Sequence, residues 1–258
     1  MKKQELLEKP RLILNADDFG RTNDINKYIA DHFISGCISS ASIMANGDAF
    51  EEACHIIHQC GLSGEIGVHL ALDEVTPLSE KMKKYANQDG KMCFKRSVLV
   101  FSTDLRNAIH SELCAQVEKV LNNGIRPTHL DSHHHVHTSL SIGKMVFSLS
   151  KQFNIAYVRR ARDLSSSPSF LSHMYNSLFN SYLSGHASTT DVFCDLAELY
   201  ERWKRGIMAQ GTIECMCHFN LDNISYNNTS LFSDDTFKHF LSNYKLINFT
   251  ELIRGKNP

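Results

Sequence analysis

Two periods of apolar residues alternate along this chain. Residues 11–16 make a buried-strand run that ends abruptly at Asp17, Asp18 and Gly20, and residues 22–35 then place Ile25, Tyr28, Ile29, His32 and Phe33 at helical spacing. The exchange repeats. Further strands are expected at 38–44, 65–70, 127–131, 155–159, 212–217 and 246–249, and further helices at 49–59, 104–122, 140–153, 195–210 and 233–243. Gly124 and Gly211 stop two of these helices. Two stretches break the rhythm: 72–102, with Pro77 and the polar run 87–90, and the serine-rich 161–190, with Pro168, Gly185 and room for a short helix. Both are expected as long excursions on a functional rim, because compact domains rarely tolerate such loops elsewhere. The alternation predicts an α/β fold with a mostly parallel sheet and helices outside it; about seven strands in a single domain, residues 1–258, favour closure into a barrel.

Composition narrows the partners. The chain has 258 residues, 42% hydrophobic and 21% charged, with a net charge of -1, which suits one large globular domain. Near-neutral charge argues against nucleic acid or an anionic membrane surface as a partner, and the basic residues at 81–84 read as a solvated face. No apolar run approaches a membrane span, and residues 1–9 are charged where a secretory signal would be apolar, so the expected location is cytoplasmic. Homo-oligomerisation is left open by the sequence. The eight cysteines include no CxxC pair, which fits reduced, buried thiols. Cys215 and Cys217 flank Met216 at strand spacing and are expected in the core, as is Trp203 beside Leu196, Leu199 and Tyr200. The outlying figure is 14 histidines, four of them within residues 131–137.

The histidines change the reading of Asp17–Asp18. An isolated Asp-Asp pair most simply turns the chain and caps a helix. Here Asp17–Asp18, His69, the cluster beginning at His133, and His218 all follow the carboxyl ends of expected strands. In parallel α/β sheets and barrels those ends gather on one face, where ligands bind. One Asp with two His is also a sound ligand set for a catalytic divalent ion, because it leaves positions open for water and substrate. His218 is the candidate general acid, since an imidazole near its reference pKa can donate at neutral pH.

The segments Asn15–Ala16–Asp17–Asp18–Phe19–Gly20, Gly67–Val68–His69–Leu70 and Thr128–His129–Leu130–Asp131–Ser132–His133–His134–His135–Val136–His137 resemble the signatures of the YdjC-like carbohydrate deacetylases, and weaker similarity runs to the region of Gly211–His218. The resemblance implies a distorted (β/α) barrel and metal-assisted removal of an N-acetyl group from a sugar or oligosaccharide. By position it implies Asp18, His69 and His133 as metal ligands and Asp17 as general base. Magnesium is the ion usually assigned to the family, while the ligand chemistry suits zinc at least as well, so one divalent ion, Mg or Zn, is expected.

If residues 133–137 stay extended, His133, His135 and His137 share a face, with His134 opposite. His135 and His137 are then expected to orient the ligands or to touch substrate. Arg159 is expected to meet a sugar hydroxyl or a carboxylate such as Asp17, with a surface ion pair as the alternative. His129 and Asp131 are expected to be buried and to orient the site. Two departures stand out. His218–Phe219–Asn220 replaces the family's His-Pro-Gly, and Asp195 stands where glycine is common. They leave two alternatives open: a catalytically weakened carbohydrate-binding relative, and a hydrolase of another amide or an ester.

Overall fold

The computed structural model describes residues 9–94, 101–164, 169–219, 228 and 231–256. Eight strands alternate with helices: β1 (Arg11–Phe19), α1 (Asn23–Ile34), β2 (Ser40–Ile43), α2 (Phe50–Gln59), β3 (Ile66–Leu70), α3 (Glu80–Lys83), α4 (Thr103–Asn122), β4 (His129–Ser132), α5 (Leu140–Gln152), β5 (Tyr157–Val158), α6 (Phe170–Ser184), β6 (Val192–Asp195), α7 (Leu196–Lys204), β7 (Thr212–Cys217), α8 (Asp235–Leu241), β8 (Lys245–Leu246) and α9 (Phe249–Lys256). Among the described residues these eight strands pair in parallel, in the order β5-β4-β3-β2-β1-β7-β6, with β8 against the start of β1. The sheet curls into a half-barrel, and Tyr157 on its β5 edge makes an isolated parallel bridge to Ser188, in the segment leading into β6. This is the distorted (β/α) barrel in a single α/β domain. Among the described residues, no helix is long and apolar enough to cross a membrane.

Strand alternation divides the side chains between two cores. On β1, Leu12, Leu14 and Ala16 face outward into the large cluster shared with the helices. Ile13 faces inward, where Tyr157, Ile247, Phe249 and Leu252 fill the floor of the barrel. Above that floor the interior turns polar: Asn15, Asp17, Ser42, His69, Asp131, Arg159 and Glu214 are all buried. Cys215 and Cys217 lie on the outer face of β7 in the main core, as expected, and Trp203 packs against that core beside Tyr200.

Three elements differ from the sequence expectation. Residues 192–195 are a strand, whose four residues are too few for periodicity to reveal beside the helix that follows. The last strand is only Lys245–Leu246, and residues 249–256 form α9, whose Phe249 and Leu252 plug the barrel floor. A short apolar run cannot by itself be told from a helix start. Finally, the 161–190 excursion contains the fifteen-residue α6 rather than a short helix. Pro168 lies outside the described residues. Residues 95–100 of the 72–102 excursion lie outside the described residues; its beginning is tied down by α4, where Glu112 accepts from the backbone N–H of Leu78 and Ser79 and Gln116 brackets Ala71.

Gly67 shows how tightly the interior is filled. A Cβ there would lie 2.4 Å from the His129 ring, which is itself stacked on Phe249 at 4.1 Å. Gly67→Ala should therefore destabilise the fold by roughly 1–3 kcal/mol in urea unfolding, as overpacking does. Gly64→Ala, whose Cβ would meet only Thr250 Oγ1 at 3.7 Å, should stay within about 0.5 kcal/mol of the parent, as surface changes do. Equal effects of the two substitutions would refute the packing argument.

Candidate active site

The site begins with an irregularity in β1. Its register against β2 shifts between Ala16 and Phe19, and Asp18 adopts a left-handed backbone with φ of 69°. Neighbours on a regular strand point to opposite faces; the irregularity lets Asp17 face into the barrel while Asp18 reaches the rim. Gly20, at φ 90°, then turns the chain into α1, and its carbonyl leaves no room for a side chain at Gly47.

Asp18 is met by residues from two other strand ends. His69 Nε2 lies 3.2 Å and His133 Nδ1 3.0 Å from the same oxygen, Oδ1. The other oxygen, Oδ2, accepts from Arg21 at 3.1 Å, and Arg21 also reaches Glu74 at 2.9 Å. Burial would raise the Asp18 pKa, but hydrogen bonds from His133 and His69 outweigh it and hold the carboxyl well below its ordinary range. His69 is fixed from behind: its Nδ1 meets Asp131 Oδ1 at 2.9 Å and Ser42 Oγ at 3.1 Å. Burial would depress His69, yet Asp131 and Asp18 lift it to about 10. The arrangement favours positive charge between His69 and Asp18.

Asp17 has different company. Arg159 binds it through a fork, Nη1 to Oδ2 at 2.7 Å and Nη2 to Oδ1 at 2.8 Å, and Asn15 Nδ2 donates to Oδ1 at 2.9 Å. Burial opposes ionisation of Asp17, but the Arg159 charge and hydrogen bonds prevail and lower its pKa. His218 Nε2 lies 3.8 Å from Asp17 Oδ2. The His218 backbone is held by Asn228, whose Oδ1 accepts from its N–H at 2.8 Å. His218 thus faces Asp17; Asn220, the other end of the altered turn, lies outside the described residues.

One expectation is corrected, and one open alternative is resolved. Residues His133–Thr138 form a 3-10 turn with left-handed backbone at His134 and His135, so His133, His135 and His137 do not line one face. His133 turns to Asp18. His134 swings outward to Asp73 at 2.5 Å, His135 lies 3.4 Å from Arg162, and His137 Nδ1 meets Ser132 Oγ at 2.5 Å. Nor is Arg159 in a surface ion pair: it is 1% exposed and pairs with Asp17, Asp131 and Glu214. Ser42, Asn15, Glu74 and Glu214 escaped the sequence reading. The one signal available was Glu214 itself, a charge amid the apolar strand Thr212–Cys217.

Asp18, His69 and His133 can each offer one ligand atom, all within 4.8 Å of one another, and they form one of three such groups among the described residues. The others, Asp17–His69–Asp131 and Asp73–His133–His134, share histidines with it. The first suits a divalent cation best, because Asp17 and Asp131 are already committed to Arg159 and His134 is exposed.

The fold and this site define a (β/α)-barrel protein with an Asp-His-His cluster and a separately held carboxylate at the strand ends. The profile of the YdjC-like protein family matches residues 11–243, and the chain belongs to that family. A carbohydrate deacetylase of Clostridium beijerinckii is 38% identical over 56% of this chain and 58% of its own length. One of Geobacillus stearothermophilus is 36% identical over 58% and 60% respectively. Matching thus spans under two thirds of these relatives' length. A carbohydrate deacetylase of Halalkalibacterium halodurans is 27% identical over 81% of this chain and 84% of its own. A crystal structure from Enterococcus faecalis V583, titled as a candidate cellobiose-phosphate cleavage protein, superposes with a TM-score of 0.72 over 95% of this chain and 99% of its own, at 19% identity, and shares the fold.

His69→Ala should abolish tight divalent binding in a zinc or magnesium titration followed by elemental analysis. Asp131→Asn, which leaves the three candidate ligands in place but loosens His69, should weaken it by about 10- to 100-fold. Unaltered affinity in His69→Ala would place the ion elsewhere.

Proposed function

We propose that this protein hydrolyses the N-acetyl group of an amino sugar or its oligosaccharide, with a divalent cation, zinc or magnesium, held by Asp18, His69 and His133. The observation that carries the reading is the pairing of adjacent carboxylates with unlike partners: Asp18 faces two imidazoles, and Asp17 faces a guanidinium. The deacetylase names of the relatives supply the substrate class. A cation in the site would polarise the acetyl carbonyl and acidify the attacking water.

The chain's own residues handle the protons. Asp17, kept ionised by Arg159, accepts a proton from the attacking water, and the Arg159 fork fixes the direction of its free lone pairs. Its ion pair with Arg159 keeps it from serving as a further ligand. His218, partly open to solvent beside Asp17, donates a proton to the amine nitrogen as the C–N bond breaks. Arg21 and Glu74 border a cavity of about 520 Å³, also lined by Asp48, Thr76, Asn87 and Phe94, where sugar hydroxyls could be bound. His135, facing Arg162 and Phe193, is the other candidate substrate contact, whereas His137 shapes the turn through Ser132.

Acetate release from N-acetylglucosamine oligomers by metal-loaded protein tests the reading. Asp17→Asn should lower kcat by about 10²–10⁴-fold with cation content retained. His218→Ala should lower kcat more than it raises KM. Unchanged release in Asp17→Asn would remove it as the base, and sugar binding without release by the parent protein would favour the carbohydrate-binding alternative.

A further inference from the structure

Glu214 is a buried carboxylate that neither the cation site nor the proton transfers above employ. It lies in β7 between Ile213 and Cys215, both of which face the outer core, so alternation turns it into the barrel. It is 1% exposed, and its Oε1 accepts from Arg159 Nε at 2.5 Å. Its Oε2 has no hydrogen-bond partner among the described residues. Burying a half-satisfied acid is costly, so stability alone would favour an apolar residue here.

The geometry around Arg159 supplies a reason. A guanidinium is planar, and its donors point in fixed directions. Asp17 occupies the Nη1–Nη2 fork, Asp131 takes Nη1 at 2.8 Å, and Phe193 lies against the group at 4.7 Å. Glu214 takes the remaining Nε. Without it the guanidinium could pivot toward Asp131, leaving Asp17 with one hydrogen bond from Arg159 in place of two, beside that from Asn15, and a changed direction for its lone pairs.

We propose that Glu214 is a positioning residue for the hydrolysis: by holding Arg159 at Nε it fixes the fork that orients Asp17, without touching substrate or cation. This rests on the deacetylase reading. The charged groups that face Glu214 are Arg159 just beyond β5, Asp131 on β4 and Asp17 on β1. Burial, together with repulsion from Asp131 and Asp17, lifts Glu214 to about 7 against the attraction of Arg159. Below that pH Glu214 is neutral, and the Arg159 charge serves Asp17 and Asp131 alone. Above it Glu214 is ionised, competes for Arg159 and repels Asp17, making Asp17 the stronger base. The kcat of the parent should therefore rise as pH passes through about 7.

The test compares the metal-loaded parent with Glu214→Gln, which keeps an acceptor but cannot ionise, and Glu214→Ala, which removes it. Acetate release would be followed from pH 5.5 to 8.5, alongside cation content and thermal melting. Glu214→Ala should lower kcat by about tenfold or more, the scale on which small misplacements act, with KM and cation content unchanged. Glu214→Gln should match the parent at pH 6 and lose the rise above pH 7. A folded Glu214→Ala with parental kcat, or a Gln variant as slow as the Ala variant at pH 6, would overturn the proposal. If the Ala variant does not fold, Glu214→Leu, which fills the space without accepting from Arg159 Nε, takes its place: a tenfold or greater loss of kcat with cation content retained supports the proposal, and a parental kcat overturns it. If the parent itself releases no acetate, the deacetylase reading has failed, and crystal structures of the variants decide the positioning separately. The Arg159 fork on Asp17 kept in Gln but lost in Ala supports it; the fork kept in both overturns it.

Discussion

The interior of this barrel depends on the buried guanidinium of Arg159. Arg159, just past β5, reaches across to Asp17 on β1, Asp131 on β4 and Glu214 on β7. Removing a charge from water costs several kcal/mol, and an unpaired one could not persist there. Pairing three carboxylates with it secures strands that are far apart in the sheet order. Breaking the arrangement from one side would leave an uncompensated charge, which is why the layer behaves as a unit. Burial outweighed by its partners holds Arg159 well above its ordinary pKa, so the positive charge is permanent.

That permanent charge separates the roles of two adjacent residues. Asp17 and Asp18 are chemically identical, and each is buried. What distinguishes them is the irregularity at the end of β1, which sends one toward Arg159 and the other toward His69 and His133. Asp131 links the two halves, since its Oδ1 steadies His69 and its Oδ2 meets Arg159. One shared carboxylate therefore touches both the His69 ring and the guanidinium that holds Asp17. Ser42 adds a second contact to both His69 and Asp131 and so braces the same joint.

Much of this was legible because local chemistry and strand ends coincide. The buried run before Asp17–Asp18, the lone His69 closing a short strand, and His218 after Thr212–Cys217 all occupy strand ends whose common face follows from parallel topology. His129 and Asp131 are both buried, as anticipated, with Asp131 against His69 and His129 against Thr128 and Phe249. The histidine cluster was misjudged for a physical reason: left-handed backbone at His134 and His135 breaks the two-residue period, and no periodicity argument foresees positive φ at histidine. Asp17 stood among several alternatives for Arg159, with a surface ion pair beside it, because burial is a property of the folded barrel and not of the residue. β6 and α9 escaped because four residues, and one short apolar run, carry too little pattern.

The sequence by itself determined the parallel α/β architecture, the family, and the set of residues able to carry the chemistry, because hydrophobic period and donor type are local properties. The tertiary structure alone decided how those residues divide. Only the curl of the sheet brings Arg159 to Asp17, places Glu214 behind it, and leaves Asp18 facing two imidazoles, since each contact joins residues distant in the chain. Distances across a curled sheet are set by its curvature and by what fills it, and no stretch of chain encodes them alone.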